Sequence, residues 1–523
     1  VTGPADEGSP AAGELRRRLQ EVRAGAPDLR FVYTLRRTEP ERFVFWIDAS
    51  EGPDRSRIGD PVTKVTPRLR EAFAQPARAM VEPEFYTDEW GTWLSAYSPV
   101  RARDGRLEAI VGVDLPAAAI ASLRDLCDRG AWAELEDRFY KGIAFGTGGM
   151  RGRTVGRVSA ANELAADGTP VRAAVGSACL NDVNVLRAAL GLWRHVSAAH
   201  PSPRIVIAHD VRHFSRHFAE LVASAWSRLG GEAYLFAGAR STPQLSFTVR
   251  HLGAHAGVVI TASHNPSHDN GFKCCLGHGG QVTPPDDAAI VAEVGKLGPA
   301  DVAPYLEKDL GGVRTVDAAA EEAYLARVAG IVLEPELMAR HAPKVVYTNL
   351  HGTGDVTVVP ALRRLGLDPH LVHEQLEHDG RFPTVPSPNP ESPAAFALAL
   401  KLAAEVGADL VLATDPDSDR VGVACPQADG AYRLLTGNEV AALLAEFRLS
   451  ALKDAALIPA AGSPQAVVLK SLVTTPLVAA ICARHGVRCV ETLVGFKWIA
   501  RKLERWSRQL AEGAGADAPH LPL

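Results

Sequence analysis

The sequence predicts an α/β protein in which repeated parallel α/β layers follow a small α+β module. Three observations carry this. From about residue 120 onward, short apolar runs such as "RIVIAHD", "GVVITASH", "KVVYTNLHG" and "DLVLATDPD" alternate with helical stretches such as "HFAELVASAWSRL" and "AAFALALKLAAEVG". Alternation of this kind builds parallel sheets covered by helices. Each run ends in a polar or glycine-bearing loop, where ligands of such layers bind, beyond the carboxyl ends of the strands. Residues 28–115 follow a different rhythm, with strand-like runs around one helix and then a hairpin.

The elements follow in order. "AAGELRRRLQEVRAG" reads as a helix or linker in residues 1–27. "RFVYTLRR", "RFVFWIDAS", "TWLSAYSPVRA" and "LEAIVGVDL" are rich in β-branched and aromatic residues, and "VTPRLREAFAQ" is a helix between them. Trp90, Trp93 and Tyr97 are expected in the core of this module rather than at a ligand. "DRGAWAELEDRFYKG" reads as a helical bridge. The α/β units come next, and the proline-rich "PTVPSPNPESP" is expected to be a hinge or domain junction. The tail "GAGADAPHLPL" reads as linker.

Bulk properties bound the function. The chain has 523 residues, 46% hydrophobic and 22% charged, ample for about three or four domains. A net charge of -5 argues against a general nucleic-acid binder. No apolar run reaches the ~18 residues that a membrane helix needs. The start, "VTGPADEGSPAAGELRRRLQ", lacks the apolar segment of a signal peptide, and it begins at Val1, so a processed or partial product is expected. Seven cysteines (127, 179, 274, 275, 425, 482 and 489) show no CxxC spacing. They read as small buried residues of a reducing compartment, not as a disulfide framework or zinc site, and suggest a cytoplasmic location.

The loops hold the chemistry. In "DPDSDR", residues 415–420, Asp415, Asp417 and Asp419 alternate directly after "LVLAT". Three such carboxylates can surround one hard cation, and would repel each other without one or a basic neighbour. An EF-hand is excluded, because its required glycine and glutamate fall on Arg420 and Pro426. Magnesium suits a site that shares ligands with a phosphate. "FGTGGMRG", residues 145–152, suggests backbone approaching an anion, but a plain glycine turn is an even alternative. It fits neither the dinucleotide nor the nucleotide phosphate-loop pattern. In "TASHNP", residues 261–266, Ser263, His264 and Asn265 follow a buried-type strand, and "DNGFK" brings Lys273 near in sequence. Lys273 is a proton-shuttle or phosphate-partner candidate. "HDVRHFS" with Asp210 and Arg212, "LHGTG" with His351, and "TGNE" read singly as surface turns or salt bridges. "ASHNP" lacks the G-x-S-x-G elbow of a serine hydrolase.

Taken in order, "GTGGMRG", "TASHNPSHDNGFK", "DPDSDR", "TGNE" and "VGFKW" resemble the α-D-phosphohexomutase family, which comprises phosphoglucomutases, phosphomannomutases and phosphopentomutases. The resemblance runs from about residue 125 to 505. "STPQLSF", "FPTVPSPNPE" and "LHGTG" point to the phosphoglucomutase and phosphopentomutase branch. Residues 28–118 resemble Cache/PAS-like ligand-sensing domains, which implies a small ligand there.

The family resemblance implies that Ser263 carries the phosphoryl group. Asp415, Asp417 and Asp419 would hold Mg2+, with Ser263 contributing a phosphate oxygen. Arg151 and Lys273 would flank the reacting oxygens, with His264 as a further catalytic candidate. Thr147, Arg420 and the loop Gly495, Phe496 and Lys497 would meet the sugar phosphate. The implied reaction interconverts hexose (or pentose) 1-phosphate and 6- (or 5-) phosphate through a bisphosphate, with a sugar 1,6-bisphosphate as activator. A non-enzymatic phosphosugar-binding or ligand-sensing regulator is the alternative.

The implied domains are the module at 28–118, mutase domain I at 119–300, domain II at 301–400, domain III with the metal loop at 401–510, and a tail at 511–523. That makes three of the family's usual four domains. The glutamate-bearing sugar loop and the final phosphate-binding domain are not found after "VGFKWIARKLERW", so a truncated or assembled chain with impaired turnover is expected.

Overall fold

The computed structural model describes residues 9–25, 31–39, 42–49, 56–74, 80–82, 86–88, 91–101, 107–146 and 149–512. They form two compact units. The first comprises residues 1–145, 151–195 and 290–308; the second comprises 146–150, 196–289 and 309–523.

In the first unit, six strands form one antiparallel sheet: β1 (Phe31–Glu39), β2 (Arg42–Asp48), β3 (Met80–Val81), β4 (Tyr86–Asp88), β5 (Gly91–Arg101) and β6 (Leu107–Pro116). The order is β2-β1-β6-β5-β3, with β4 on β5. The period of two divides the side chains between two cores. Tyr33, Leu35, Tyr97 and Ile110 pack with Leu69 and Ala72 of the helix Pro67–Ala74. Val32, Ile47 and Ala109 pack with Ala12 and Leu19 of the helix Pro10–Gly25. Tyr97 is therefore core. Trp90 lies outside the described residues, as does the side chain of Trp93.

The border expected at 118/119 falls inside the helix Ala117–Asp128. Ser122 of that helix is fully buried and donates to Asn162 Oδ1 at 2.8 Å. The module and the segment after it are thus one unit here. The bridge helix Trp132–Phe139 supplies a buried arginine, Arg138, which donates to Glu134 at 2.7 Å and Glu163 at 2.6 Å.

The second unit holds the α/β layers. Four parallel strands are β8 (Arg204–His209), β9 (Glu232–Leu235), β10 (Ala256–Ile260) and β12 (Val313–Thr315), and β11 (Asp269–Leu276) returns antiparallel to β10. The sheet order is β12-β9-β8-β10-β11-β7, where β7 is Gly149–Arg153 and only Gly149 and Met150 of it belong to this unit. A second sheet runs β14-β13-β15-β16-β17, from β13 (Val345–Thr348), β14 (His370–Leu371), β15 (Leu410–Thr414), β16 (Val421–Pro426) and β17 (Tyr432–Leu435). β18 (Ser463–Ser471) and β19 (Val487–Thr492) form a parallel pair.

Two expectations change. The 400/401 border falls inside the helix Pro393–Val406, whose Ala399 and Ala403 pack in one core with Val346 of β13 and Val411 of β15. The acidic loop therefore belongs to domain II, and we draw the border after β17. The proline-rich stretch at 383–393 is no domain junction, since β13 and β14 precede it and β15 of the same sheet follows. The tail at 513–523 lies outside the described residues.

Candidate active site

All five residues of β10 are buried, as an interior strand requires. The chain then turns sharply: Ser263 has φ +54 and is fully buried. A left-handed backbone at a residue other than glycine is uncommon and must be held by its surroundings. The Ser263 amide donates to Thr261 Oγ1 at 2.9 Å. Its hydroxyl donates to Asp415 Oδ2 at 2.6 Å and lies 3.3 Å from His264 Nδ1.

Asp415 opens the loop between β15 and β16. The Ser418 amide bonds to the Asp415 carbonyl at 2.9 Å, Ser418 itself has φ +53, and the Arg420 amide reaches Asp415 Oδ1 at 3.1 Å. The three carboxylates consequently converge, with one oxygen of each of Asp415, Asp417 and Asp419 within 4.8 Å of the others. Asp417 Oδ2 accepts from Lys273 Nζ at 2.6 Å and Thr242 Oγ1 at 2.8 Å, while buried Asp417 Oδ1 has no hydrogen-bond partner. An unpartnered buried carboxylate oxygen facing two further carboxylates fits a hard cation.

Electrostatics agree. Burial, and then the Asp417 and Asp419 carboxylates, push the Asp415 carboxyl well above the usual range. Burial would also raise Asp417, but the Lys273 ammonium and hydrogen bonds from its neighbours outweigh that and hold it well below.

The loop is braced from below by "LHGTG". The Thr353 amide and hydroxyl both bond to the Pro416 carbonyl, at 2.9 and 3.0 Å. A Cβ on Gly352 would stand 2.4 Å from Pro416 Cα, so only glycine fits. His351 is buried, with Nδ1 3.0 Å from the Glu377 carbonyl and Nε2 2.9 Å from Thr384 Oγ1. That corrects the surface-turn reading, since His351 shapes the loop from inside. For "HDVR" the salt-bridge alternative holds and the surface turn does not: Asp210 and Arg212 pair at 3.3 Å, buried beside the serine loop. "TGNE" is a helix cap, in which Thr436 and Glu439 satisfy each other's backbone amides.

The structure thus gathers Ser263, His264, Lys273, Asp415, Asp417, Asp419 and Arg420, whose Nη1 lies 2.7 Å from His264 Nδ1. Arg151 is exposed on β7, in the first unit. Thr147 lies outside the described residues. Gly495 and Phe496 border a different, apolar hollow beside β18, with Leu444 and Val468, and Lys497 follows them at the start of the helix Phe496–Ala511. Sequence reasoning missed Thr242, whose signal was its place in "STPQLSF", and the position of Arg212 behind the serine.

Layered α/β sheets carrying a serine loop against an acidic triad define a protein of the phosphohexomutase class. The description "Phosphoglucomutase/phosphomannomutase, alpha/beta/alpha domain I" matches residues 142–300, domain II matches 322–430 and domain III matches 436–512. The chain belongs to the phosphoglucomutase/phosphomannomutase family. It is 35% identical over 326 residues to a Haemophilus influenzae protein named "Probable phosphomannomutase", covering 62% of this chain and 64% of that one. It is 32% identical over 389 residues to a Staphylococcus epidermidis phosphoglucomutase, covering 74% and 66%. A solved Thermus thermophilus structure described as a "putative phosphomannomutase" aligns with a TM-score of 0.55 at 26% identity, covering 69% of this chain and 72% of that one. The chain spans just under two thirds of the length of those first two relatives.

Proposed function

We propose that the chain is a phosphosugar mutase that interconverts hexose (or pentose) 1-phosphate and 6- (or 5-) phosphate. The observation that carries the reading is the 2.6 Å bond from Ser263 Oγ to Asp415 Oδ2, which sets a hydroxyl into an acidic triad.

In the proposed cycle the phosphoryl group on Ser263 Oγ passes to the free hydroxyl of a sugar monophosphate. The Oγ–P bond breaks as a sugar O–P bond forms, and the proton of the sugar hydroxyl passes, net, to Ser263 Oγ. The bisphosphate then turns over, and its other phosphoryl group returns to Ser263. On that return the serine proton passes, net, to the sugar oxygen whose bond to phosphorus breaks, and His264 Nδ1, 3.3 Å from Ser263 Oγ, stands where it can relay it. Lys273 and Arg420 supply positive charge beside the transferring group. Magnesium held by Asp415, Asp417 and Asp419 would neutralise charge on the phosphoryl oxygens. A sugar 1,6-bisphosphate would prime the serine.

Free thiols at all seven cysteines suit a reducing compartment and support a cytoplasmic site of action.

The test is to incubate the protein with labelled glucose 1,6-bisphosphate and magnesium, map the label, and follow conversion of glucose 1-phosphate to glucose 6-phosphate. Label on Ser263, absent from Ser263→Ala, is expected. Label elsewhere, or label persisting in that variant, overturns the assignment.

A further inference from the structure

We infer that Arg212 is the positioning residue for Ser263: by holding the carbonyls of the serine loop it sets where Oγ stands for phosphoryl transfer. The inference rests on the phosphoserine reading above and adds a residue to it.

Arg212 follows β8, whose neighbour in the sheet is β10. The Asp210 amide bonds to the Ile260 carbonyl at 3.0 Å, so the two strand ends stay together as their loops begin. From there the Arg212 side chain runs beneath residues 263–269. Nη2 donates to the carbonyls of Ser263 and Asn265, and Nη1 donates to those of Pro266 at 2.7 Å and Asp269 at 3.0 Å. Four carbonyls of one short loop thus meet one planar cation. A lysine ammonium, a compact point charge on a flexible stem, cannot address four acceptors spread in this way.

The guanidinium is itself fixed. Its side chain is fully buried, and Nε lies 3.3 Å from Asp210 Oδ2. Asp210 Oδ1 accepts from the Arg212 amide at 2.9 Å and from Ser215 Oγ at 2.6 Å, and Ser215 Oγ accepts from Asn270 at 2.8 Å. The Phe382 ring lies 5.0 Å from Arg212 Cζ. A Cβ at Gly380 would stand 2.7 Å from the Val211 carbonyl, so that loop presses on the arginine's own backbone. The clamp therefore has little room to move.

Ser263 needs such a hold. Its left-handed backbone, φ +54, is strained and persists only where its surroundings impose it. Released, the residue would relax toward a commoner conformation, and Oγ would leave its place 2.6 Å from Asp415. The four acceptors are backbone atoms, so this role concerns the rate of transfer and not the affinity for the sugar. Of the acidic loop, Asp417 is held by Lys273 and Thr242 and the Pro416 carbonyl by Thr353, apart from the clamp, while Asp415 also accepts from Ser263 itself.

The experiment uses the full chain with Arg212→Lys and Arg212→Met. Single-turnover labelling of Ser263 from labelled glucose 1,6-bisphosphate is measured over a range of concentrations, with magnesium affinity measured by calorimetry. We expect labelling to slow about 10-fold in Arg212→Lys and about 100-fold in Arg212→Met, as displacement of a reacting atom by about 1 Å would cause. The half-saturating bisphosphate concentration should stay at the parent value, and magnesium affinity should fall by less than the labelling rate does, since Asp417 keeps its own partners. Labelling at the parent rate, or a loss confined to the half-saturating concentration, overturns the inference while leaving Ser263 as the acceptor. A parent protein that takes no label on Ser263 overturns the phosphoserine reading and this role with it. Should Arg212→Met fail to fold, Arg212→Lys, which keeps the charge beside Asp210, decides alone: the parent rate in that variant overturns the clamp.

Discussion

Lys273 and Asp417 form a buried ion pair, Nζ to Oδ2 at 2.6 Å. Lys273 stands on β11, paired with Val259 one residue before the end of β10. Asp417 is in the loop after β15. One charge pair therefore ties the hairpin that follows the serine to the acidic loop that faces it. Lys273 Nζ is also 3.8 Å from Asp419 Oδ2, so it serves two of the three carboxylates.

That geometry makes Lys273 the protein's own counter-charge. Replacing it by methionine removes one partner of a buried pair, which costs about 3–5 kcal/mol. We expect a loss of that size in EDTA and a smaller one in saturating magnesium, since a cation that binds only the folded state restores stability. Thermal unfolding in both conditions checks this. An equal loss in each would show that Lys273 and a cation do not share the same charge.

Asp417→Asn removes a ligand whose Oδ1 is buried without a partner. Magnesium affinity should fall by at least about 10-fold, and labelling of Ser263 should slow by about two orders of magnitude or more, because charge stabilisation and ligand geometry are lost together. Calorimetry with magnesium is the direct measurement. Parent-like titrations would reduce the loop to an acidic turn.

Much of this site was legible in the sequence because strand ends carry it. Ser263 and the Asp triad each follow an apolar run, and a spacing of two is enough to suggest convergent carboxylates. Arg212 was not legible. An arginine after a strand is ordinarily a surface ion-pair partner, and only tertiary packing shows that its acceptors are carbonyls some fifty residues away. The fold was legible where periodicity changed, at the N-terminal sheet and the α/β units. The domain borders were not, because the helices at 117–128 and 393–406 pack on both sides of the expected breaks. Proline content misled at 383–393, where a connection between strands of one sheet has the composition of a hinge.

Gly149 offers a backbone test of the "GTGGMRG" segment. Its φ is +140, and a Cβ there would stand 1.9 Å from the Phe272 carbonyl and 2.9 Å from Lys273 Cα. Gly149 thus packs directly on the strand that carries Lys273. Gly149→Ala should destabilise the protein by at least about 2 kcal/mol, combining strain with overpacking. Gly168→Ala is the control: it also has positive φ, +82, but nothing lies within 4 Å, so strain acts there alone and the loss should be smaller. Urea unfolding of both variants tests this. Equal losses would mean that close approach to β11 adds nothing.

Acid should weaken the first unit through Glu134. This carboxylate accepts from Arg138 Nε at 2.7 Å and Arg153 Nη2 at 2.8 Å. Burial opposes its charged form, but the two guanidinium groups outweigh burial and hold the carboxyl below its ordinary 4.5. The folded protein therefore binds this proton more weakly than the unfolded chain does. The stability so gained is complete above pH 4.5 and drains away as the pH falls from there through the lowered folded value. Arg138 stays charged throughout, because Glu163 and Glu134 raise its guanidinium against the effect of burial. Protonating Glu134 thus leaves a buried cation with one anionic partner fewer. Glu134→Gln should begin less stable at neutral pH, and its deficit against the parent should narrow as the pH falls below 4.5. Other carboxylates also titrate in that range, so the informative quantity is the difference between parent and variant, read from urea midpoints at matched pH. A deficit that stays constant across the range would show that Glu134 contributes shape and hydrogen bonds but not charge.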